Sequence, residues 1–305
     1  MGAFLFAATA VLWGSSAIVT GHQSISGAPE VSVGYRMVIV SLVMFCWSYA
    51  RGQGLSLRAT DGPWVALQGV LFFGLAFIAF YYSTTLLTSG ISALVLSTAS
   101  LFAALAGWIF LSTPVTLRML AGIITGITGL VVIALPQIVV MSSGADTLAG
   151  VVLALVAAAC TGCGTVVAMR NQKAGMPTTS LIAWAALFGT IFSFSLAAVR
   201  GSSFSVAVSL PYFAGLAYLA VVASCITFVM YFNLVQRSGP ASASYTLAVV
   251  PVVALLLSVL FENLSIDIYL FSGAVAVLLG NILVLSDQGK APKRPKIVPA
   301  EEGTS

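Results

Sequence analysis

The polar side chains that interrupt the apolar stretches of this chain are few, and their spacing suits recognition of a small solute better than covalent chemistry. In "AVLWGSSAIVTGHQ", residues 10–23, Trp13, Ser16 and Thr20 stand three and four residues apart and share one helical face. An indole deep in hydrocarbon needs an N–H partner, which places Trp13 on a polar path. Gly14 and Ser15 suit close helix packing instead, with the serine hydroxyl returned to its own backbone. "AFYYSTTLL" adds Tyr81, Tyr82 and Thr85, and "FVMYFNLVQ" adds Tyr231 and Asn233. A tyrosine near a span end also serves as an interfacial anchor, whereas an amide such as Asn233 gains nothing from facing lipid. "LVLSTASLF" sets Ser97 and Ser100 on one face, and Tyr245 lies in the corresponding later segment. Trp13, Ser16, Tyr81, Tyr82, Ser97, Asn233 and Tyr245 form the expected substrate-binding set.

Four charges flank the apolar segments: Arg36, Arg118, Glu262 and Asp267. Arg118 and Asp267 suit the interface, where long or terminal charged groups reach water. Arg36 lies a little inside its segment, where a guanidinium either meets a substrate carboxylate or snorkels outward. Glu262 either pairs with a facing basic group as a gate or ends a helix. No Asp or Glu stands mid-segment, so a buried acid carrying a coupling proton is not visible, and His22, the one histidine, is either a titrating group or a solvated one. Cys160 and Cys163 in "CTGC" share a face, but no His or acid accompanies them, and small-residue packing suits them better than metal or redox chemistry. No nucleophile–base pair, metal-ligand set or cofactor motif is present in the sequence, so it reads as neither an enzyme nor a metal or cofactor protein.

The elements that position these residues follow from composition. Of 305 residues, 60% are hydrophobic and 7% charged, with a mean hydropathy of +1.09. A soluble domain of that make-up could not cover its surface, and apolar runs that are continuous rather than alternating select helices over a transmembrane barrel. The expected class is an all-α integral membrane protein with ten transmembrane helices, near 2–20, 33–50, 64–87, 91–111, 117–135, 148–169, 178–199, 212–236, 241–261 and 268–286. The first is read as a retained span, since no basic n-region precedes it. Residues 1–140 and 145–287 form two five-helix halves, and 288–305 a polar, Pro-containing, solvated tail.

Basic residues near short loops set orientation. With the N-terminus inside, 10 of the 12 Lys and Arg fall on the inner side, leaving Arg36 and Arg200 outside, so both termini are expected in the cytoplasm, in a bacterial inner membrane. The tail reads as solvated, with attraction of its four basic residues to anionic lipid as the alternative, diluted by Glu301 and Glu302, and nothing else in the chain supports nucleic-acid binding.

The halves repeat one another. Ala10, Gly14, Val19 and Pro29 match Ala158, Gly162, Val167 and Pro177 at an offset of 148; Tyr82, Ser89 and Gly90 match Tyr231, Ser238 and Gly239 at 149; Gly122 and Gly129 match Gly273 and Gly280 at 151. Five helices per half is an odd number, so the second half enters the membrane inverted, the plan of transporters that rock two halves about a midplane site. "GIITG", Gly122 to Gly126, suits packing within the chain or a homodimer seam.

"LWGSS" in the first helix, Arg36 in the second, "LAGWIFLSTPVTLRMLAGIITGITGLVVI" and "PVVALLLSVLFENLSIDIYLFSGAVAVLLGNILVL" together resemble the EamA-like branch of the drug/metabolite transporter superfamily over the whole chain apart from the tail. Against that pattern, Glu262 takes the place of the acid closing the ninth helix, Ser112-Thr113 take its place in the fourth, and the proline usual in both helices stands at Pro251 only. The resemblance implies transport of amino acids, other metabolites or drugs, often outward, with the first four helices of each half lining a cavity. A phosphorylated substrate would ask for several buried bases and a permanent cation for a buried acid; hydroxyls, amides and rings suit a neutral or zwitterionic metabolite such as an amino acid. Facilitated export and proton exchange both remain open, with drug efflux and a non-transporting membrane protein as alternatives.

Overall fold

Apolar runs long enough to cross a bilayer satisfy their backbone only as helices, and helices are what this chain forms. The computed structural model describes residues 2–111, 116–139 and 144–288. We name the helices α1 (Gly2–Ser24), α2 (Pro29–Ala50), α3 (Gly62–Leu86), α4 (Ser89–Leu96 and Ala99–Leu111), α5 (Leu117–Val139), α6 (Gly144–Lys173), α7 (Thr178–Arg200), α8 (Leu210–Tyr231), α9 (Tyr245–Phe261) and α10 (Ile268–Gln288). Among the described residues, eight helices are long and apolar enough to cross a membrane; α5 and α9 contribute shorter apolar helices, Leu117–Ile133 and Tyr245–Phe261. The expected Ser112-Thr113 position and the tail beyond Gln288 lie outside the described residues.

The helices depart from the expected boundaries in ways that matter. α1 continues through Gln23 to Ser24, and α2 starts at Pro29 rather than near residue 33, because proline at the first position needs no N–H partner and brings a helical φ. Most of the expected linker is therefore helix. α4 breaks at Ser97 and Thr98, where no proline stands; their hydroxyls donate to Leu94 O (2.6 Å) and Val95 O (2.7 Å), competing with the backbone ladder. Helical backbone is continuous from Thr227 to Phe261. Even so, Trp13 touches Phe228 while the neighbouring Gly14 abuts Val253, and a straight helix would separate those partners by about 37 Å. The element therefore folds back on itself between α8 and α9.

Packing pairs helices far apart in the chain. α5 and α10 run antiparallel with glycine on glycine: a Cβ on Gly122 would fall 2.8 Å from Gly280 O, and one on Gly129 2.6 Å from Gly273 O. α2 and α7 also run antiparallel, with Gly34 under Phe194 and Ser41 Oγ donating to Ala183 O at 3.0 Å. Gly14 of α1 meets Val250 O and Val253 of α9; Gly162 of α6 meets Ala99 O and Phe102 of α4. The partners in the second contact stand 151 residues before those in the first. A buried cluster between α2, α3, α7 and α8, including Met37, Met44, Phe73, Tyr81, Leu181 and Leu219, forms the main core.

Candidate functional site

Two stretches of wide, π-helical turn shape the interior: Gly69–Leu75 within α3 and Tyr218–Ile226 within α8. Such turns shift carbonyls out of the α-helical ladder and recur at functional sites. In α8, Ser224 Oγ reaches Leu219 O at 2.8 Å and Thr227 Oγ1 reaches Val222 O at 2.7 Å, each five residues back. Trp13 Nε1 donates to Ala223 O at 3.1 Å, and its ring packs on Phe228 (5.6 Å between centroids) and Tyr231 (5.2 Å). Arg36 Nη2 donates to Ser224 Oγ at 3.2 Å, and its guanidinium carbon lies 4.5 Å from the Phe77 ring centre. Residues from α1 and α2 thus converge on consecutive positions of one wide turn.

Arg36 is only 4% exposed. Among the described residues the ion pairs are Arg170–Asp61 and Arg200–Glu30, so no carboxylate compensates Arg36. A buried charge without a counter-ion is expensive, and the Phe77 face and the neighbouring Ser224 and Tyr81 hydroxyls offset only part of that cost.

Beside it, the fully buried Tyr81 donates to Gln23 Oε1 at 2.6 Å. One position on, Tyr82 donates to Glu30 Oε2 at 2.7 Å, and Ser202 donates to Glu30 Oε1. Ser202 is placed by the end of α7: Gly201 takes a left-handed φ of 66°, which returns Ser202 N to Ala197 O at 2.9 Å. Arg200 Nε stands 3.8 Å from Glu30 Oε1, and its guanidinium 5.3 Å from the Tyr82 ring centre. Glu30, 1% exposed, therefore joins α2, α3 and α7 at one end of the bundle. At the opposite end of α3, Asp61 pairs with Arg170 of α6 at 2.8 Å, and Asn171 Nδ2 donates to Gln68 Oε1 at 3.0 Å.

The other expected site residues are placed elsewhere or spent locally. Ser16 Oγ donates to Trp13 O at 2.7 Å, and Asn233 Nδ2 to Val229 O at 2.9 Å, both within their own helices. Ser97 Oγ accepts from Asn281 Nδ2 at 2.8 Å, and Asn281 Oδ1 accepts from Ser100 at 2.8 Å, so this polar group binds α4 to α10. Tyr245 is exposed on α9. Glu262 accepts from the backbone N of Ser89 at 2.9 Å and from Ser258, holding the start of α4 against the end of α9. Of the expected set, Trp13, Tyr81, Tyr82 and Arg36 lie around α3 and the wide turn of α8. Gln23, Glu30, Phe77 and Ser224 complete that cluster without having been expected there. Gln23 and Glu30 read as linker residues, because the surrounding "GHQSISGAPEVS" is itself polar and small-residue-rich and gave neither of them away. Among the described residues, no group of three His, Cys, Asp or Glu side chains could hold a metal ion.

A profile of the EamA-like transporter family matches residues 1–135 and 148–286. The chain is similar to an uncharacterized transporter of Clostridium kluyveri, 23% identical over 80% of this chain and 78% of that one. It is also similar to Protein PecM of Dickeya dadantii, 24% identical over 98% and 96%, and to an uncharacterized transporter of Archaeoglobus fulgidus, 24% identical over 93% and 97%. One chain of known crystal structure shares the fold with a TM-score of 0.64 at 18% identity, covering 94% of this chain and 97% of its own length.

Proposed function

The chain belongs to the EamA-like transporter family, and from that premise we propose that it is a secondary transporter that exports small neutral or zwitterionic metabolites such as amino acids. It is an integral, multi-pass membrane protein of a transporter family, not an enzyme. The observation that carries the substrate reading is the convergence of Trp13 and Arg36 on Ala223 and Ser224. An aromatic wall, hydroxyls, an amide and one uncompensated positive charge match a small solute with a single anionic end.

Alternating access between two inverted halves is the mechanism we favour. Supporting it are the glycine contacts repeated with halves exchanged, the antiparallel pairing of α5 with α10, and the two stretches matched by the family profile. The repeated wide turns at Gly69–Leu75 and Tyr218–Ile226, 149 residues apart at their starts, support it too. On the distribution of basic residues, the Asp61–Arg170 end faces the cytoplasm of a bacterial inner membrane and the Glu30 end faces outward. Glu30 favours a second reading, proton-coupled drug efflux, because a buried carboxylate is the group such coupling uses.

Flux of a panel of amino acids, nucleobases and cationic drugs into proteoliposomes tests both. Amino-acid flux indifferent to an imposed pH gradient is expected; drug flux driven by the gradient selects the second reading, and no flux of any compound overturns both.

A further inference from the structure

Two buried polar groups around Tyr81 lack a hydrogen-bond partner, and both are donors: Gln23 Nε2 and Arg36 Nε. Their residues are 3% and 4% exposed. Tyr81 connects them, since its hydroxyl donates to Gln23 Oε1 at 2.6 Å while Arg36 lies beside that same hydroxyl. Arginine only donates, so it cannot satisfy the Gln23 amide, and the amide oxygen is already taken by Tyr81. The nearest acid on α2, Glu30, is engaged by Tyr82, Ser202 and Arg200. What the cluster lacks is an acceptor with negative charge.

We infer that Gln23, Arg36 and Tyr81 form a carboxylate subsite between α1, α2 and α3, in which one substrate carboxylate accepts from Arg36 Nε and Gln23 Nε2 and neutralises the guanidinium. This deepens the transporter reading and rests on it. Phe77 covers one face of the guanidinium and Ser224 occupies Nη2, so the ligand approaches in the plane of the guanidinium. One buried cation balances one negative charge, which selects a monocarboxylate or an amino acid over a phosphate dianion.

The test is ligand-induced thermal stabilisation of the purified full-length protein. Its probes are the common L-amino acids, their carboxamides, short monocarboxylates and inorganic phosphate. At least one carboxylate compound should raise Tm, with its carboxamide at least tenfold weaker and phosphate without effect. Arg36→Gln should weaken the response at least tenfold. Gln23→Glu supplies the missing carboxylate from within, so it should raise the ligand-free Tm and abolish the response; it serves alone if Arg36→Gln does not fold. Equal stabilisation by carboxamides or by phosphate, no response to any carboxylate, or an undiminished response in Gln23→Glu overturns the subsite. Flux of other solutes in proteoliposomes would then leave the transporter reading standing, whereas absence of all flux removes that reading itself.

Discussion

Tyr82 of α3 donates its hydroxyl to Glu30 of α2 across 2.7 Å, and Ser202, just past α7, donates to the other oxygen of the same carboxylate. Residues 30 and 202 stand 172 positions apart, so this carboxylate ties together helices distant in the chain. A hydrogen bond to a charged acceptor contributes about 1.5–3 kcal/mol, while the pair with the half-exposed Arg200 adds little. Glu30→Ala is expected to lower Tm by several degrees, with Glu30→Gln between it and the parent because the amide oxygen still accepts. Identical melting curves for all three proteins would show that the carboxylate fastens nothing.

Trp13 holds Ala223 O through one N–H and fills the space beside Phe228 and Tyr231. Trp13→Phe removes the hydrogen bond, about 1 kcal/mol, and part of the fused ring, whereas Trp13→Ala removes the whole aromatic surface. Solute flux is expected to fall modestly in the first and at least tenfold in the second, at unchanged membrane expression. Asn233→Ala provides the comparison: an amide bonded to its own helix should leave flux within about twofold, and a larger loss would put Asn233 on the path. Parent-level flux in Trp13→Ala would remove Trp13 from the substrate path.

Asn281 bonds both Ser97 and Ser100 across the α4–α10 contact. Interhelical polar bonds in membranes contribute about 0.6–2 kcal/mol each. Asn281→Leu should therefore lower thermal stability while leaving the order of substrate preference unchanged. A changed preference, measured by competition in the flux assay, would return Ser97 to the substrate site.

Gly14 and Gly162 each abut a backbone carbonyl and a side chain of the facing helix. A Cβ on Gly14 would fall 2.6 Å from Val253 Cβ, and one on Gly162 2.7 Å from Ala99 O. Overpacking of this kind typically costs about 1–3 kcal/mol. Gly14→Val and Gly162→Val should destabilise by similar amounts, because the contacts are counterparts; a loss confined to one would argue against their equivalence. Unfolding in detergent gives the comparison.

Much of this was legible beforehand because a bilayer enforces local rules. An unpaired backbone is costly in hydrocarbon, so the all-α class and the apolar helical regions could be read from hydropathy alone. Trp13 and Arg36 stood out for the same reason, being costly in lipid. Their partners were not legible. Ala223 and Ser224 are unremarkable in sequence, and a wide turn made them reachable. Gln23 and Glu30 read as linker because the extension of α1 to Ser24 and the start of α2 at Pro29 depend on packing around them. Ser97 matched the polar pattern of a lining residue, yet it binds α10 at Asn281, 184 positions away. Sequence determined which segments enter the membrane and which side chains are too polar to face it. Only the tertiary structure decided which of those meet, because the pairing of a buried donor depends on which helix lies opposite, and that is set by contacts between residues far apart in the chain.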